Sequence, residues 1–279
     1  MFEITFYNEN GRVVFGGGKS DSPFRVIKTD GLGFPEKKYV TVSYEDTPGQ
    51  ETVSEQVKPR TVTLSGDCFI SGDYTEYSTA ISVLNKPGVL EVHTKNGVRC
   101  IDARCTTFVE GDKKGNYLPF TVQFICDKPY FRNGEQTETP LYKVMPNLTK
   151  DFTFPDRFSY RITRRNILIS SNAETEPVFI IEVGSDANGN IEIINNTSGE
   201  KLKLNYEPLR NECITVDVEN RKIYNQEGDN LLSYLADDSF FNGFHLYPGE
   251  NDCEVNLDYG TVDLKVYIRY NEKFLEAIC

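Results

Sequence analysis

The sequence predicts a mainly β protein of two domains, with a single helix in the first domain. Short runs of alternating apolar and polar residues are separated by turn signals such as NENG, NTSGE and PGEN. One segment alone has apolar residues at helical spacing. Charge divides the chain as well, because residues 1–150 carry a net charge of −1 and residues 151–279 carry −11 of the total of −12.

The composition is that of a soluble globular protein. The 279 residues are 38% hydrophobic and 26% charged, and a chain of this length can bury two cores. No apolar run approaches the roughly 20 residues that a membrane helix requires. The start MFEITFYNENG lacks signal-peptide features, so we expect synthesis in a cytoplasm and no membrane partner. The acidic balance argues against binding nucleic acid through its phosphates.

The first domain begins with a predicted hairpin, FEITFYNENGRVVFGG, in which NENG forms the turn. KYVTVSYED alternates again and predicts a strand. Residues 45–58 are polar and low in apolar residues, so they predict a loop or the tip of an extended arm. RTVTLSGDCFI then returns to strand character.

The predicted helix lies in SGDYTEYSTAISVLNKPG. Asp73 is positioned to cap its N-terminus, with Glu76 three residues further on, as in a capping box. The predicted apolar face consists of Tyr77, Ala80, Ile81 and Leu84. The sequence NKPG stops the helix. A hairpin around an NG turn, GVLEVHTKNGVRCIDARC, and a further strand, NYLPFTVQFICDKPYF, are predicted to follow.

The second half is predicted to be a β-sandwich that follows a proline-rich connection. Residues 127–156 have little periodicity and contain four prolines. Strand-like runs separated by turns then continue to the end of the chain. The runs are FSYRI, NILISS, PVFIIEVG, NIEIINN, KLKLNY, CITVDV, KIYNQ, FHLYP, CEVNLD and VDLKVYIRY. The predicted boundaries are 1–128 for the first domain, 129–151 for the connection and 152–279 for the second domain.

Two glycine-containing loops have parts of known binding motifs. FGGGKSD, at 15–21, ends like a phosphate-binding loop, but that motif needs a glycine where Val13 stands and a helix directly afterwards. A glycine-rich turn is therefore predicted. DANGN, at 186–190, resembles the start of a calcium loop, but Ile191 and Thr197 occupy the positions of the required Gly and Glu, which favours a hairpin turn.

The candidate catalytic residues have structural interpretations that the sequence favours. Carboxylates that could serve glycoside hydrolysis are Asp237, Asp238, Glu250 and Asp252, all in polar, turn-like stretches. His93 and His245 lie in strand-like runs, and no GxSxG motif accompanies them. The seven cysteines include no CxxC pair, which indicates free thiols and no zinc site. We predict no catalytic, cofactor-binding or metal-binding residues and no enzymatic activity.

The order of features resembles the distal tail proteins of siphophages, the siphovirus tail component family. A hairpin leads to VIKTDGLGFP and a polar arm, then RTVTLSGDCFISGD, one helix ending in NKPG, and LEVHTKNGVRCIDARC. A proline-rich connection precedes PVFIIEVGSDANGNIEIINNTSGEKLKL, CITVDVENRKIY and FHLYPGENDCEV. The resemblance extends over essentially the whole chain.

This resemblance implies a specific architecture and role. The first domain would be a hub whose copies join, through strands and the arm, into a hexameric ring with a central channel. The second would be a galectin-like β-sandwich outside the ring. The partners would be the tail tube protein, a tail-tip or tail-associated protein and a receptor-binding protein, at the distal tail tip of the virion. DNA would pass through the channel without specific binding.

Two other functions stay open at the level of sequence. A β-sandwich is a common scaffold for carbohydrate binding, and a module of this kind could contact a bacterial cell wall. The chain has no Trp, but its 16 Tyr and 18 Phe could supply an aromatic platform. A glycoside hydrolase using Asp237 or Asp238 as its acid is the remaining possibility.

Overall fold

The structure is a computed structural model that describes residues 3–16, 22–46, 48–70, 72, 74–95, 97–145, 160–184, 189–257 and 264–277. The chain divides into two compact units. The first unit comprises Met1–Gly134 together with Lys273–Cys279, and the second comprises Glu135–Glu272. The domain boundaries predicted from sequence differ from this division mainly because the last seven residues return to the first unit.

The described residues form 21 strands and one α-helix, which confirms the predicted mainly β class. The first ten strands are β1 (Glu3–Asn8), β2 (Gly11–Gly16), β3 (Phe24–Asp30), β4 (Lys37–Val42), β5 (Glu51–Val57), β6 (Arg60–Phe69), β7 (Gly88–Thr94), β8 (Gly97–Glu110), β9 (Tyr117–Cys126) and β10 (Phe131–Asn133). Helix α1 (Thr75–Leu84) lies between β6 and β7.

The remaining strands begin in the second unit and end in the first. They are β11 (Thr137–Met145), β12 (Tyr160–Ile162), β13 (Arg164–Ile169), β14 (Val178–Val183), β15 (Ile191–Asn195), β16 (Glu200–Leu204), β17 (Cys213–Asp217), β18 (Lys222–Asn225), β19 (Gly249–Leu257), β20 (Leu264–Tyr270) and β21 (Lys273–Phe274). No helix among the described residues has both the length and the apolar character needed to cross a membrane.

The first unit is built on a sheet that closes on itself. Its strand order is β21-β10-β8-β7-β1-β2-β3-β6-β9, and β8 also pairs with β9, which joins the two sides. Strict alternation in β6 and β9 sends every second side chain inward, where Leu64 and Phe124 are fully buried. The predicted hairpins β1–β2 and β7–β8 are confirmed.

Helix α1 packs on this closed sheet through a face that differs slightly from the predicted one. Ala80, Val83 and Leu84 are buried, whereas Ile81 is exposed. The sequence assigned Ile81 to the buried face because it is apolar, but Val83 occupies the helical position that points at the sheet. The N-cap residue is Tyr74, without a side-chain cap, and the predicted cap Asp73 lies outside the described residues.

Strands β4 and β5 form a two-stranded antiparallel ribbon, which we call the arm. The arm confirms that this polar region is extended. The sequence also left a loop open for this region, and that alternative is wrong for residues 51–57, because they pair with β4 from Lys37↔Val57 to Val42↔Glu51. A bulge lies between Val40 and Thr41.

The second unit is a sandwich of two sheets around one core. A six-stranded sheet has the order β12-β11-β20-β14-β17-β18, and a four-stranded sheet has the order β13-β19-β15-β16. Inward-facing residues of both sheets, such as Phe179 and Val255, belong to one buried cluster. The predicted sandwich is therefore present in the residues that the structure describes.

Two predictions about the second half are wrong in part. FHLYP is not a strand: its Phe244 and Leu246 are fully buried, and Leu246 pairs with Thr175 only as an isolated bridge. The predicted connection at 129–151 contains the strands β10 and β11, whereas its last residues lie outside the described part of the chain. Residues 17–21 and 185–188, which belong to the segments compared with phosphate- and calcium-binding loops, also lie outside the described part of the chain.

A buried arginine binds the C-terminal segment that belongs to the first unit. Arg60, 4% exposed, donates hydrogen bonds to the carbonyl oxygens of Gly31 (2.7 Å), Gly33 (2.5 Å), Pro129 (2.7 Å) and Leu275 (2.7 Å). Its guanidinium lies 4.6 Å from the centre of the Phe131 ring. One side chain therefore joins three segments that are distant in sequence.

Candidate functional site

Three of the four carboxylates considered for catalysis, Asp238, Glu250 and Asp252, are held by neighbouring basic or amide groups. Asp238 pairs with Lys201, and Asp252 pairs with Arg164, so the pKa of each carboxyl lies below its ordinary value through that hydrogen bond. Glu250 accepts a hydrogen bond of 3.0 Å from the Asn166 amide. Lowered pKa values oppose a role as general acid, which requires a raised pKa.

The histidines and cysteines have structural surroundings. His245 Nδ1 lies 2.7 Å from the Gly243 carbonyl oxygen, and His93 Nε2 lies 3.6 Å from Glu91 Oε2. Burial raises the pKa of Cys126 and of Cys253 to about 12, so both are thiols at neutral pH. Within the described ranges, no group of three or more His, Cys, Asp or Glu residues could hold a metal ion.

One cavity of the first unit does not have the arrangement of a catalytic site. About 560 Å³ in volume, it lies between α1 and the outer side of β1, β2 and β7. Its ionisable lining residues are Glu3, Arg12, Glu76, Glu91 and His93. The Ser22 hydroxyl, which lines this cavity, donates a hydrogen bond to the Val14 carbonyl oxygen.

The arm is the candidate functional surface, because it exposes apolar side chains on a ribbon of only two strands. Tyr39 and Val53 are 53% and 63% exposed, and Val40 and Val42 are also exposed. In the described part of the chain, β4 and β5 pair with each other and with no other strand. An isolated two-stranded ribbon is marginally stable in water. Its exposed valines and tyrosine are therefore typical of a surface that another protein covers.

The arm has polar contacts that keep it extended at its base. Lys37 Nζ lies 2.9 Å from Glu55 Oε1 across the two strands, and Lys58 pairs with Glu36 at 2.5 Å. The Lys58 amide also donates to the Glu36 carbonyl oxygen at 2.9 Å. These contacts continue the pairing of the ribbon up to the point where β6 begins. The sequence analysis identified the arm by its polarity but missed its exposed apolar residues. The pattern that could have predicted them is the β-branched run YVTV, which pairs with ETVS.

Comparison with known proteins shows which class of protein this chain is similar to. Residues 170–274 match the model of the siphovirus-type tail component, C-terminal domain. This match confirms the resemblance to the siphophage distal tail proteins that the sequence indicated. No curated protein sequence matches the chain.

The fold of the whole chain is similar to that of the SPP1 Dit (gp 19.1) protein, described as a paradigm of the hub adsorption apparatus in phages that infect Gram-positive bacteria. The TM-score is 0.69 at 15% identity, and the similarity covers 98% of this chain and 99% of the other. A chain of the phage P2 baseplate in its activated conformation with Ca is similar at a TM-score of 0.48 and 13% identity, over 96% of this chain and 97% of that one.

Proposed function

We propose that this protein is a distal tail protein: a structural hub of a phage tail whose first unit assembles into a hexameric ring. The observation that carries the proposal is the arm, an exposed apolar ribbon without a partner strand in the described residues. The full-length fold similarity to SPP1 Dit supports the same conclusion. The hub would join the tail tube to tail-tip and receptor-binding proteins and would act by assembly, without catalysis.

The charge distribution supports different surroundings for the two halves of the chain. A near-neutral first half can bury surface against neighbouring copies at little electrostatic cost, whereas a net charge of −11 in the second half suits a solvated outer appendage. A galectin-like sandwich would present that appendage to protein partners. DNA would pass through the central channel without being bound specifically, and the protein would reside at the distal tail tip of a virion assembled in the host cytoplasm.

The oligomeric state tests the proposal. Light scattering behind size exclusion is expected to give a mass of about 190 kDa, six times the 31.7 kDa of one chain. Negative-stain images of that peak are expected to show rings with a central hole. A charge placed in the arm by Val53→Asp is expected to reduce the mass to that of one chain, because the carboxylate would have to be desolvated at the contact.

The matched control is Leu168→Asp. Leu168 is also an exposed apolar strand residue, 62% exposed, but it lies in β13 of the second unit. The ring is expected to survive this substitution. A wild-type protein that stays monomeric at all accessible concentrations would contradict the proposed ring, and a ring that persists in Val53→Asp would contradict the role of the arm.

A further inference from the structure

A cavity of the second unit lies beside the hairpin that β17 and β18 form, at the end of the six-stranded sheet. It is about 470 Å³ in volume. The segment 228–232 contributes its other side and is held there because the Leu231 amide donates a hydrogen bond of 2.8 Å to the Ile223 carbonyl oxygen. Small-molecule sites have volumes of about 300–1,000 Å³, so the space is sufficient for a ligand of that size.

Tyr224 and Leu232 supply exposed apolar walls to this cavity. They are 37% and 39% exposed, and both line the space. Alternation along β18 places Tyr224 on the outward side, since its neighbours Ile223 and Asn225 are buried. A half-exposed tyrosine ring can stack on the C–H face of a sugar while its hydroxyl stays in contact with water.

Two amide side chains of the lining are held in place by local hydrogen bonds. The Asn220 side-chain nitrogen donates to one carboxylate oxygen of Asp217 at 2.8 Å, and the Asn220 main-chain N–H donates to the other at 2.9 Å. Asn230 Oδ1 accepts from the Leu232 amide at 2.9 Å. Within the described part of the chain, the remaining oxygen of Asn220 and nitrogen of Asn230 have no protein partner. One acceptor and one donor are therefore available to hydroxyl groups, which both donate and accept.

Arg221 and Lys222 add two adjacent positive charges to the lining. Other basic residues of the second unit are neutralised, because Arg164, Lys201 and Arg269 each pair with an acidic side chain. No ion pair among the described residues includes Arg221 or Lys222. In a half of the chain with a net charge of −11, these two cations form a local positive site that can attract an anion.

Arg221 has a backbone conformation that favours glycine. It is the last residue of the turn between β17 and β18, its φ is +56°, and its N–H donates to the Val218 carbonyl oxygen at 3.3 Å. Glycine adopts this left-handed conformation at no steric cost, whereas an arginine is strained there. Residues held in this way are frequent at ligand-binding sites. The arginine therefore indicates a use for its side chain beyond the formation of the turn.

We propose that this cavity binds a saccharide that carries an anionic group, either a carboxylate or a phosphate. The sugar ring stacks on Tyr224, and its hydroxyl groups pair with Asn220 and Asn230. The Arg221 guanidinium binds the anionic group through two parallel N–H donors, and Lys222 adds a second positive charge. An apolar ligand would leave the amides and cations without partners. This proposal concerns the second unit alone and does not depend on the proposed ring.

Isothermal titration calorimetry of the full chain with four probes tests the proposal. Trigalacturonic acid carries carboxylates, glucose 6-phosphate carries a phosphate, maltotriose is neutral, and inorganic phosphate is an anion without a sugar. At least one of the two anionic sugars is expected to bind, and the last two probes are expected to bind at least about tenfold more weakly. The anionic sugar that binds more tightly identifies the anionic group. Hydrogen exchange with that probe is expected to show protection in peptides that contain residues 217–232.

Arg221→Gly is the variant that separates binding from folding. Because glycine suits a φ of +56°, we expect this variant to be at least as stable as the wild type. Its Kd for the better probe is expected to rise at least about tenfold, and that of Tyr224→Ala at least about fivefold. The matched control is Arg165→Gln, since Arg165 is an exposed arginine on β13 in the other sheet, and its Kd is expected to be unchanged.

The outcomes that would overturn the proposal are specific. They are the absence of binding by both anionic sugars, and binding that is unchanged in Arg221→Gly. Equal binding of inorganic phosphate would show an anion site without recognition of a saccharide, and equal binding of maltotriose would show that the anionic group is not recognised. None of these outcomes bears on the ring, whose mass is measured separately. Val53→Asp is expected to bind the probes like the wild type, because position 53 lies in the first unit.

Discussion

Replacement of Arg60 by Met is predicted to weaken the first unit strongly. The substitution keeps an unbranched chain against Phe131 but removes all donors to four carbonyl oxygens. Hydrogen bonds from a charged group contribute more than neutral ones, and a buried acceptor left without a donor costs about 1–3 kcal/mol. Because water can reach some of these oxygens after relaxation, we expect the free energy of unfolding of the first unit to fall by about 3–5 kcal/mol. This is less than the sum of the costs of four buried acceptors.

Burial lowers the pKa of Arg60, but an arginine retains its charge at neutral pH. Arg60→Lys should therefore recover only part of the stability, since one ammonium cannot reach acceptors in three separate segments. Hydrogen exchange of β6 and β9 peptides measures the opening free energy of the first unit by itself. It should be recorded where the result does not depend on protein concentration, so that assembly does not contribute.

The control for Arg60 is Arg12→Met, since Arg12 is an exposed arginine of the same unit, and a change below about 0.5 kcal/mol is expected for it. Removal of residues 273–277 should cost less in the Arg60→Met background than in the wild type, because the bond to Leu275 is already absent. An effect of Arg60→Met no larger than that of Arg12→Met would refute the idea that this side chain fastens the three segments.

Three further predictions concern single residues. Gly31→Ala is expected to lower the free energy of unfolding, measured with urea, by at least about 2 kcal/mol, because φ is +81° and the added Cβ would lie 1.9 Å from the Thr61 carbonyl oxygen. The control is Gly49→Ala, where φ is +104° but the space around the Cβ is open, and the loss there should be clearly smaller. The hydrogen bonds from Arg132 lower the pKa of Asp102, so this carboxylate stabilises the fold above a pH of about 4 and loses the effect as the pH falls through the lowered pKa. Asp102→Asn should lower Tm at pH 7, and the difference in Tm from the wild type should shrink as the pH is lowered below about 4; a difference that does not change with pH would contradict the ion pair. Cys253, fully buried with a pKa raised to about 12, should react with a thiol reagent at pH 8 only in denaturant, and rapid native labelling would show that the second unit opens locally.

Local patterns were sufficient for much of the fold because turn residues and alternation act over short distances. The hairpins around NENG and the NG turn, and the strands β6 and β9, follow from their sequences alone. Strand β5 was less certain because it pairs without any core face, so its polar residues look like a loop. FHLYP failed for the opposite reason: Phe244 and Leu246 are buried as a loop that covers the sandwich, without ladder pairing.

The candidate surfaces depend on information that a single strand does not contain. The exposed apolar side chains of the arm come together only when the register pairs β4 with β5, from Lys37 opposite Val57 to Val42 opposite Glu51. Likewise, β10 and β11 were hidden in a proline-rich segment, where Pro140 stands at an irregularity of the β11–β20 ladder. The contacts of Arg60 join positions up to 215 residues apart, a distance at which periodicity carries no signal.

The return of the chain to its first unit makes the sandwich an insertion between two segments of that unit rather than a domain joined at one end. Two covalent joints, at 134–135 and at 272–273, connect the units. A fragment that stops at Gly134 would lack β21 and would leave Arg60 without the Leu275 carbonyl, so it would report on a damaged first unit. The cleaner dissection replaces residues 135–272 by a short flexible linker and keeps the native C-terminus. In the proposed tail hub, the same topology would let the inserted module be exchanged between tails while the strands that frame it are preserved.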